Sequence, residues 1–133
     1  FKIEEATGIE KVALDSLKQI YKIEDGVNRS LQYRDFAFNN VQSNYMETAF
    51  MSYDMIRILD KNKEFTKILI EDYKNFIEIK PDAIKIGEII FHCYNLMESN
   101  YSKSEAQEFL KEVIRKYPNN KAGIEAKLLL KKQ

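Results

Sequence analysis

The chain has no tryptophan, one cysteine, two prolines and four glycines in 133 residues. A single cysteine allows no intrachain disulfide, so stability must come from a packed core. A chain of this length buries roughly two-thirds of its unfolded surface, enough for one without staples. So few turn residues argue against an all-β chain. Charge of one sign is missing too, since Lys plus Arg and Asp plus Glu each number 21. Nucleic-acid binding usually leaves a basic excess or stripe, and neither is present. The strongest cationic feature, Lys127 to Lys132 with three leucines inside it, reads as a solvated helix end. No apolar run approaches the roughly 20 residues that span a bilayer. No signal peptide is visible. The sequence opens on Phe1 and not Met, which reads as a processed or partial product, so that absence does not argue for the cytoplasm.

Residues suited to catalysis or metal binding are equally scarce. The one histidine, His92, adjoins the one cysteine, Cys93. Adjacent helical residues do not face each other, and a Cys–His nucleophile needs the two side chains in hydrogen-bond reach with a third group to orient them. Cys93 falls on the apolar face of Ile86, Ile89, Ile90 and Met97 and is expected to be a buried structural thiol. One His and one Cys make no zinc set. There is no glycine-rich phosphate loop and no GxSxG elbow. Asp60-Lys61-Asn62 begins faintly like a calcium loop but lacks the glycine and the twelfth, acidic ligand. The carboxylate pairs Glu4-Glu5, Glu24-Asp25 and Glu71-Asp72 lie among lysines and read as solvated faces or helix ends. The eight Tyr and eight Phe fall mostly on helix faces that must pack, so they read as core and not as a base-stacking platform. No catalytic residue, metal or cofactor is expected.

What the chain has in abundance is apolar spacing at the helical period. Thr7 followed by Glu10 is a capping-box pattern. It opens a helix over 9–24 with Ile9, Val12, Ala13, Leu17, Ile20 and Tyr21 on one face and Leu14 to one side. Gly26 is placed as a left-handed stop. Residues 28–41 read as helix through Leu31, Phe38, Val41 and Tyr45. Asn39-Asn40 and Ser43-Asn44 are placed to break it; alternatively one helix runs over 28–60, because Leu31, Phe38, Tyr45 and Leu59 keep a seven-residue step. A helix over 45–59, a turn at 60–63 and a helix over 64–80 follow, the last with Phe65, Ile68, Leu69, Tyr73, Phe76 and Ile77 inward. Pro81 ends that helix and suits the first turn of the next, which runs to about Ser99. After a polar break at 100–103, Ser104 caps a helix to Tyr117. Pro118-Asn119-Asn120 breaks the chain again, and 121–132 closes it.

Pro81 and Pro118 are 118 − 81 = 37 residues apart. Sliding the chain by that amount lays Tyr73 on Leu110, Phe76 on Val113, Ile77 on Ile114 and Glu88 on Glu125. A fixed period of this size marks a helical solenoid. The predicted fold class is therefore all-α: an antiparallel helical-hairpin array of six to seven helices in a single domain, 1–133. Its hairpins cover about 8–43, 44–81 and 82–118, with a capping helix at 119–133. The first hairpin follows from helix count, not from matched residues.

Leu69, Tyr73, Phe76 and Pro81 in one copy, and Ala106, Leu110, Val113 and Pro118 in the other, resemble the second helix of the tetratricopeptide repeat and its terminal proline. The phrase FLKEVIRKYPNNKAGIEAKLLL is similar to the variant found in bacterial cell-envelope proteins of the outer-membrane assembly lipoprotein and Tol–Pal accessory type, in which Tyr-Pro precedes a short polar turn and alanines such as Ala122 and Ala126 open the next helix. The resemblance covers about residues 45–133. The departures are a 37-residue unit in place of 34, and bulky Leu69, Phe76 and Ile89 where smaller residues are usual. The resemblance implies a TPR-like solenoid, a periplasmic or cell-envelope setting, and a concave surface, lined by the first helix of each hairpin, that holds a partner peptide.

On the helix after Pro81, Lys85, Glu88, His92 and Asn95 make a polar stripe at three- and four-residue steps. Shifted back by 37 it becomes Thr48, Met51, Met55 and Ile58, and methionine suits adaptable binding surfaces. The partner-binding groove is thus expected to be lined by Met51, Met55, Ile58, Lys85, Glu88 and His92. The plain alternative is that the stripe is solvated surface and the methionines are core. The expected function is protein–protein interaction as an adaptor or assembly scaffold, with another protein as partner, no nucleic acid and no membrane-spanning segment. The alternative is a structural module that self-associates through the C-terminal helix, since one helix face cannot bury Leu128, Leu129 and Leu130 equally.

Overall fold

A computed structural model describes residues 8–59 and 62–133. Among them are seven helices and no strand: α1 Ile9–Tyr21, α2 Gly26–Asn39, α3 Met46–Arg57, α4 Lys63–Ile79, α5 Ile86–Asn100, α6 Lys103–Lys116 and α7 Lys121–Lys131. The all-α class is as expected. Residues 28–60 hold two helices, not one, and the break falls at the Asn40 to Tyr45 turn. The chain divides into two compact units at Asp60, α1–α3 in the first and α4–α7 in the second.

In the first unit α2 packs on both α1 and α3. Ala13, Leu14 and Leu17 of α1 and Tyr33, Phe36 and Ala37 of α2 are buried, as are Met46, Ala49, Phe50 and Tyr53 of α3. The ring of Phe50 meets Phe38 edge-on at 5.7 Å and Tyr53 at 5.6 Å, the arrangement that aromatic quadrupoles favour. Several expectations fail here. Leu14, placed to one side, is fully buried, while Val12 and Tyr21 are exposed. The buried stripe of α2 is Tyr33-Phe36-Ala37, whereas Leu31, Phe38 and Tyr45 are only half-buried and Leu59 is exposed. Gly26 is not a stop. It is the first residue of α2, whose N-cap is Asp25, accepting from Val27 N at 3.1 Å. Thr7 lies outside the described residues, and the carboxylate of Glu10 accepts from Ser43 Oγ at 3.1 Å and Asn44 N at 3.2 Å.

In the second unit α5 packs against α4, α6 and α7, and α6 also packs against α7. Leu69, Ile70, Tyr73, Phe76 and Ile77 of α4 are buried with Ile86, Ile89, Ile90, Cys93 and Tyr94 of α5 and Ala106, Leu110 and Val113 of α6. Each large side chain so placed stabilises the fold by roughly 1.5–3 kcal/mol. Ile68, expected inward, is exposed because it falls between the 66-69-70-73 edge of the buried face and solvent; Asp72, expected solvated, is buried. The N-cap of α6 is Ser102, not Ser104: its hydroxyl accepts from Glu105 N at 3.0 Å, the Ser-x-x-Glu arrangement that satisfies first-turn amides.

The helix expected from Pro81 starts only at Ile86. Residues 80–85 form two successive turns, Ala83 N to Lys80 O at 3.1 Å and Ile86 N to Ala83 O at 3.1 Å. Their polar groups are committed elsewhere. Pro81 O accepts from Ala122 N at 2.8 Å, and the Asp82 carboxylate accepts from Lys121 N and Asn120 Nδ2, both at 2.8 Å. The start of α7 is thereby held by the turn before α5. α7 is also drawn in by Ala122, Gly123 and Ala126, its buried stripe of small residues.

The turn recurs three times. Asn40, Lys80 and Tyr117 close α2, α4 and α6 with φ/ψ of −134/49, −130/62 and −127/54. Each carbonyl accepts from the residue three on: Ser43 at 3.0 Å, Ala83 at 3.1 Å and Asn120 at 3.2 Å. Aligned on this turn, the first two copies are 80 − 40 = 40 residues apart and the last two 117 − 80 = 37. The 40-residue shift lays Tyr33 on Tyr73, Phe36 on Phe76, Met46 on Ile86, Ala49 on Ile89 and Phe50 on Ile90, all buried. The three added residues extend the start of α4, which has 17 residues against 14 in α2 and α6.

Candidate interaction groove

The six residues expected to line a groove fall into two sets. Met51, Met55 and Ile58 lie on and just after α3 in the first unit, and Lys85, Glu88 and His92 lie at the start of and along α5 in the second. Met51 and Ile58 are half-buried, and Met55 is 67% exposed, so it is not core. In the structural register of 40, Lys85, Glu88 and His92 correspond to Tyr45, Thr48 and Ser52, while Met51 and Met55 correspond to Phe91 and Asn95. Lys85 is the N-cap of α5 and pairs with Glu88 at 3.6 Å, both exposed. His92 is half-buried between the rings of Tyr73 and Phe91, with centroids at 6.4 and 6.3 Å. Cys93 is fully buried, and loss of hydration pushes its thiol pKa up to about 12. It is therefore protonated at neutral pH, not the thiolate a nucleophile requires.

A concavity lies elsewhere in the second unit, between α4 and α6. It is a trough of about 710 Å³. Its floor is Ile77, Met97, Phe109 and Val113, and Tyr101 and Tyr117 also line it. One wall is the α4 stripe Glu71, Lys74, Asn75 and Glu78; the other is the α6 stripe Glu105, Glu108, Glu112 and Lys116. Both stripes keep three- and four-residue steps, so each is one helix face. The glutamates are only partly neutralised. Lys74 reaches Glu71 at 3.8 Å and Lys111 reaches Glu108 at 3.4 Å, while Glu112 takes both Arg115 and Lys116. Arg115 donates two hydrogen bonds to Glu112, which hold that carboxyl below the usual carboxylate range and the guanidinium above its own. These are solvent-exposed pairs one turn apart, weakened by the water around them. They yield readily to a competing cation.

The sequence pattern carried a signal for this trough: glutamates at helical steps on two helices that end in the same turn. Taken one helix at a time, the stripes are indistinguishable from solvated faces. A second, smaller hollow of about 180 Å³ sits between α6 and α7, lined by Ile114, Pro118, Gly123, Ile124, Lys127, Leu128 and Lys131. Ile124 and Leu128 there are 54% and 51% exposed, and Leu129 and Leu130 are half-buried. Among the described residues no group of three or more His, Cys, Asp or Glu is placed to hold a metal ion, and no helix is long and apolar enough to cross a membrane. No protein-family model matches the chain, and no curated protein or solved structure is significantly similar to it.

Proposed function

We propose that this chain is a protein-interaction module, an adaptor or assembly scaffold built of tetratricopeptide-like hairpins, that holds a helix or an extended peptide in a groove. The observation that carries the reading is the α4–α6 trough: an apolar floor between two charged helix faces, the shape in which an amphipathic helix lays its apolar side. The thrice-repeated turn supports the hairpin reading, since the same local geometry recurs at α2, α4 and α6. The polar stripe of Lys85, Glu88 and His92 on α5 and the Met51, Met55 and Ile58 set at α3 are further contact surfaces, each on its own unit. The bacterial cell-envelope setting implied by the resemblance belongs to the same proposal.

A photo-crosslinking amino acid in place of Tyr101, which lines the trough, tests the reading in cells of the source organism. Discrete adducts with another polypeptide are expected, and none from the same probe at Lys11 on α1. An absence of adducts from Tyr101 refutes the trough as a protein-binding surface. A second reading, a self-associating structural module, is favoured by the half-exposed Ile124 and Leu128 beside the α6–α7 hollow.

A further inference from the structure

The chain as a whole is neutral, but two surfaces of the second unit differ in the charges they present. The α4–α6 trough is lined by five glutamates against two lysines, and Lys111 and Arg115 pair with Glu108 and Glu112 from beside it. Residues 121–133 hold Lys121, Lys127, Lys131 and Lys132 against Glu125 alone, three positive charges in excess. The basic helix also carries an apolar pair one turn apart, Ile124 and Leu128, each about half exposed, with Lys127 and Lys131 beside them. The trough offers the complement: an apolar floor at Phe109 and Val113 between glutamate-bearing walls. Lengths agree. The 14 residues of α6 make a wall of roughly 21 Å, and the 11 residues of α7 span roughly 16 Å.

We propose that the occupant of the α4–α6 trough is α7 of a second copy of this chain. Ile124 and Leu128 sit on the floor, and Lys127 and Lys131 face the glutamates. This rests on the reading of the trough as a helix-binding surface. Trough and helix are different surfaces of one chain, so each copy both accepts and donates. The contact is head-to-tail and builds rings or open chains of copies, not two-fold pairs. Its ion pairs are exposed and screened by salt.

Sedimentation of the whole chain tests this with two variants at exposed positions. E78K/E108K reverses charge in the trough and leaves α7 intact; I124S/L128S removes the apolar pair of α7 and leaves the trough intact. Circular dichroism checks that both keep their helices, and E78Q/E108Q replaces the first should it not fold. The wild-type mass is expected to rise with concentration up to about 0.5 mM. Its association constant is expected to fall at least about tenfold between about 0.05 M and about 0.5 M salt. Each variant alone is expected to stay monomeric. Their equimolar mixture is expected to form a dimer and stop there, because one intact trough meets one intact α7. A wild type that is monomeric at every concentration overturns the proposal, as does association that survives either variant, or a mixture that does not pair. In each of those cases adducts from the Tyr101 probe to a foreign polypeptide leave the interaction-module reading standing.

Discussion

Three glycines lie within helices and face different surroundings, so Gly→Ala at each reads the packing directly. At Gly123 an added Cβ would stand 1.9 Å from the Tyr117 carbonyl oxygen and 2.8 Å from its carbon. Ordinary contact begins at 3.4 Å, so backbone must part from backbone by 3.4 − 1.9 = 1.5 Å. The carbonyl of Tyr117 accepts from Asn120 N, and the neighbouring Ala122 N donates to Pro81 O. That shift strains both bonds. Overpacking costs roughly 1–3 kcal/mol, and two weakened hydrogen bonds roughly 0.5–1.5 kcal/mol each. Alanine returns about 1 kcal/mol in helix propensity. Gly123→Ala is thus expected to destabilise by about 2–3 kcal/mol, lowering the melting temperature by about 10 °C. At Gly87 the Cβ meets only the flexible Glu125 carboxylate at 3.0 Å, and at Gly26 it meets nothing within 4 Å. Gly87→Ala is therefore expected to be near neutral, and Gly26→Ala to stabilise by up to about 1 kcal/mol. Thermal and denaturant unfolding followed by circular dichroism measure all three. A Gly123→Ala chain as stable as the wild type would refute the close approach of Tyr117 to α7.

The Asp82 carboxyl is held below its ordinary pKa by Lys121 N and then by the Asn120 amide. A depressed folded-state pKa means stability that is full above the unfolded value near 4 and fades as pH falls through the folded one. Asp82→Asn is expected to melt lower than wild type at neutral pH, with the gap closing in acid; a gap independent of pH would remove the ionised cap. Burial raises the Cys93 thiol to about 12, so its contribution to stability is present below the unfolded value and is lost as pH climbs toward 12. A thiol reagent near pH 8 is expected to label native Cys93 at least about a thousandfold more slowly than the denatured chain, because reaction waits for unfolding. Fast native labelling would place the thiol at the surface. Replacing Glu88 and His92 together with alanine is expected to leave the melting temperature within a few degrees of wild type while weakening any partner that uses α5; an unchanged affinity removes that stripe from the interface.

The proline-marked breaks at Pro81 and Pro118 were legible in the sequence because proline acts locally, and so were the buried Tyr73, Phe76, Leu110 and Cys93, because helical period picks out a face. The earlier copy of the repeat was hidden by two local differences. Val41 stands where Pro81 and Pro118 stand, and the extra turn at the start of α4 moves the first interval from 37 to 40. Tyr33-x-x-Phe36 matches Tyr73-x-x-Phe76 only at that longer shift. Edges of faces were misassigned where an apolar residue sits just outside the buried arc, as with Val12, Tyr21 and Ile68. The expected groove joined residues 37 apart and so paired Met51 with Glu88, positions the folded register does not equate. Polar contacts such as Glu10 to Ser43 and Asp82 to Lys121 have no periodicity to reveal them. They become visible only when distant turns are placed side by side.

The recurring turn also sets where this chain accepts added length. At the 80–85 turn the carbonyl of Pro81 and the carboxylate of Asp82 are fastened to α7, so an inserted residue there would unfasten the start of another helix. Connections such as residues 22–25 and 101–102 cap only the two helices they join, and short connections of that kind absorb insertions well. α4 is three residues longer at its start than α2 and α6, and the turn after it keeps the same geometry. A reporter or affinity segment therefore belongs between α5 and α6, where the helices can part slightly without loosening the start of α7.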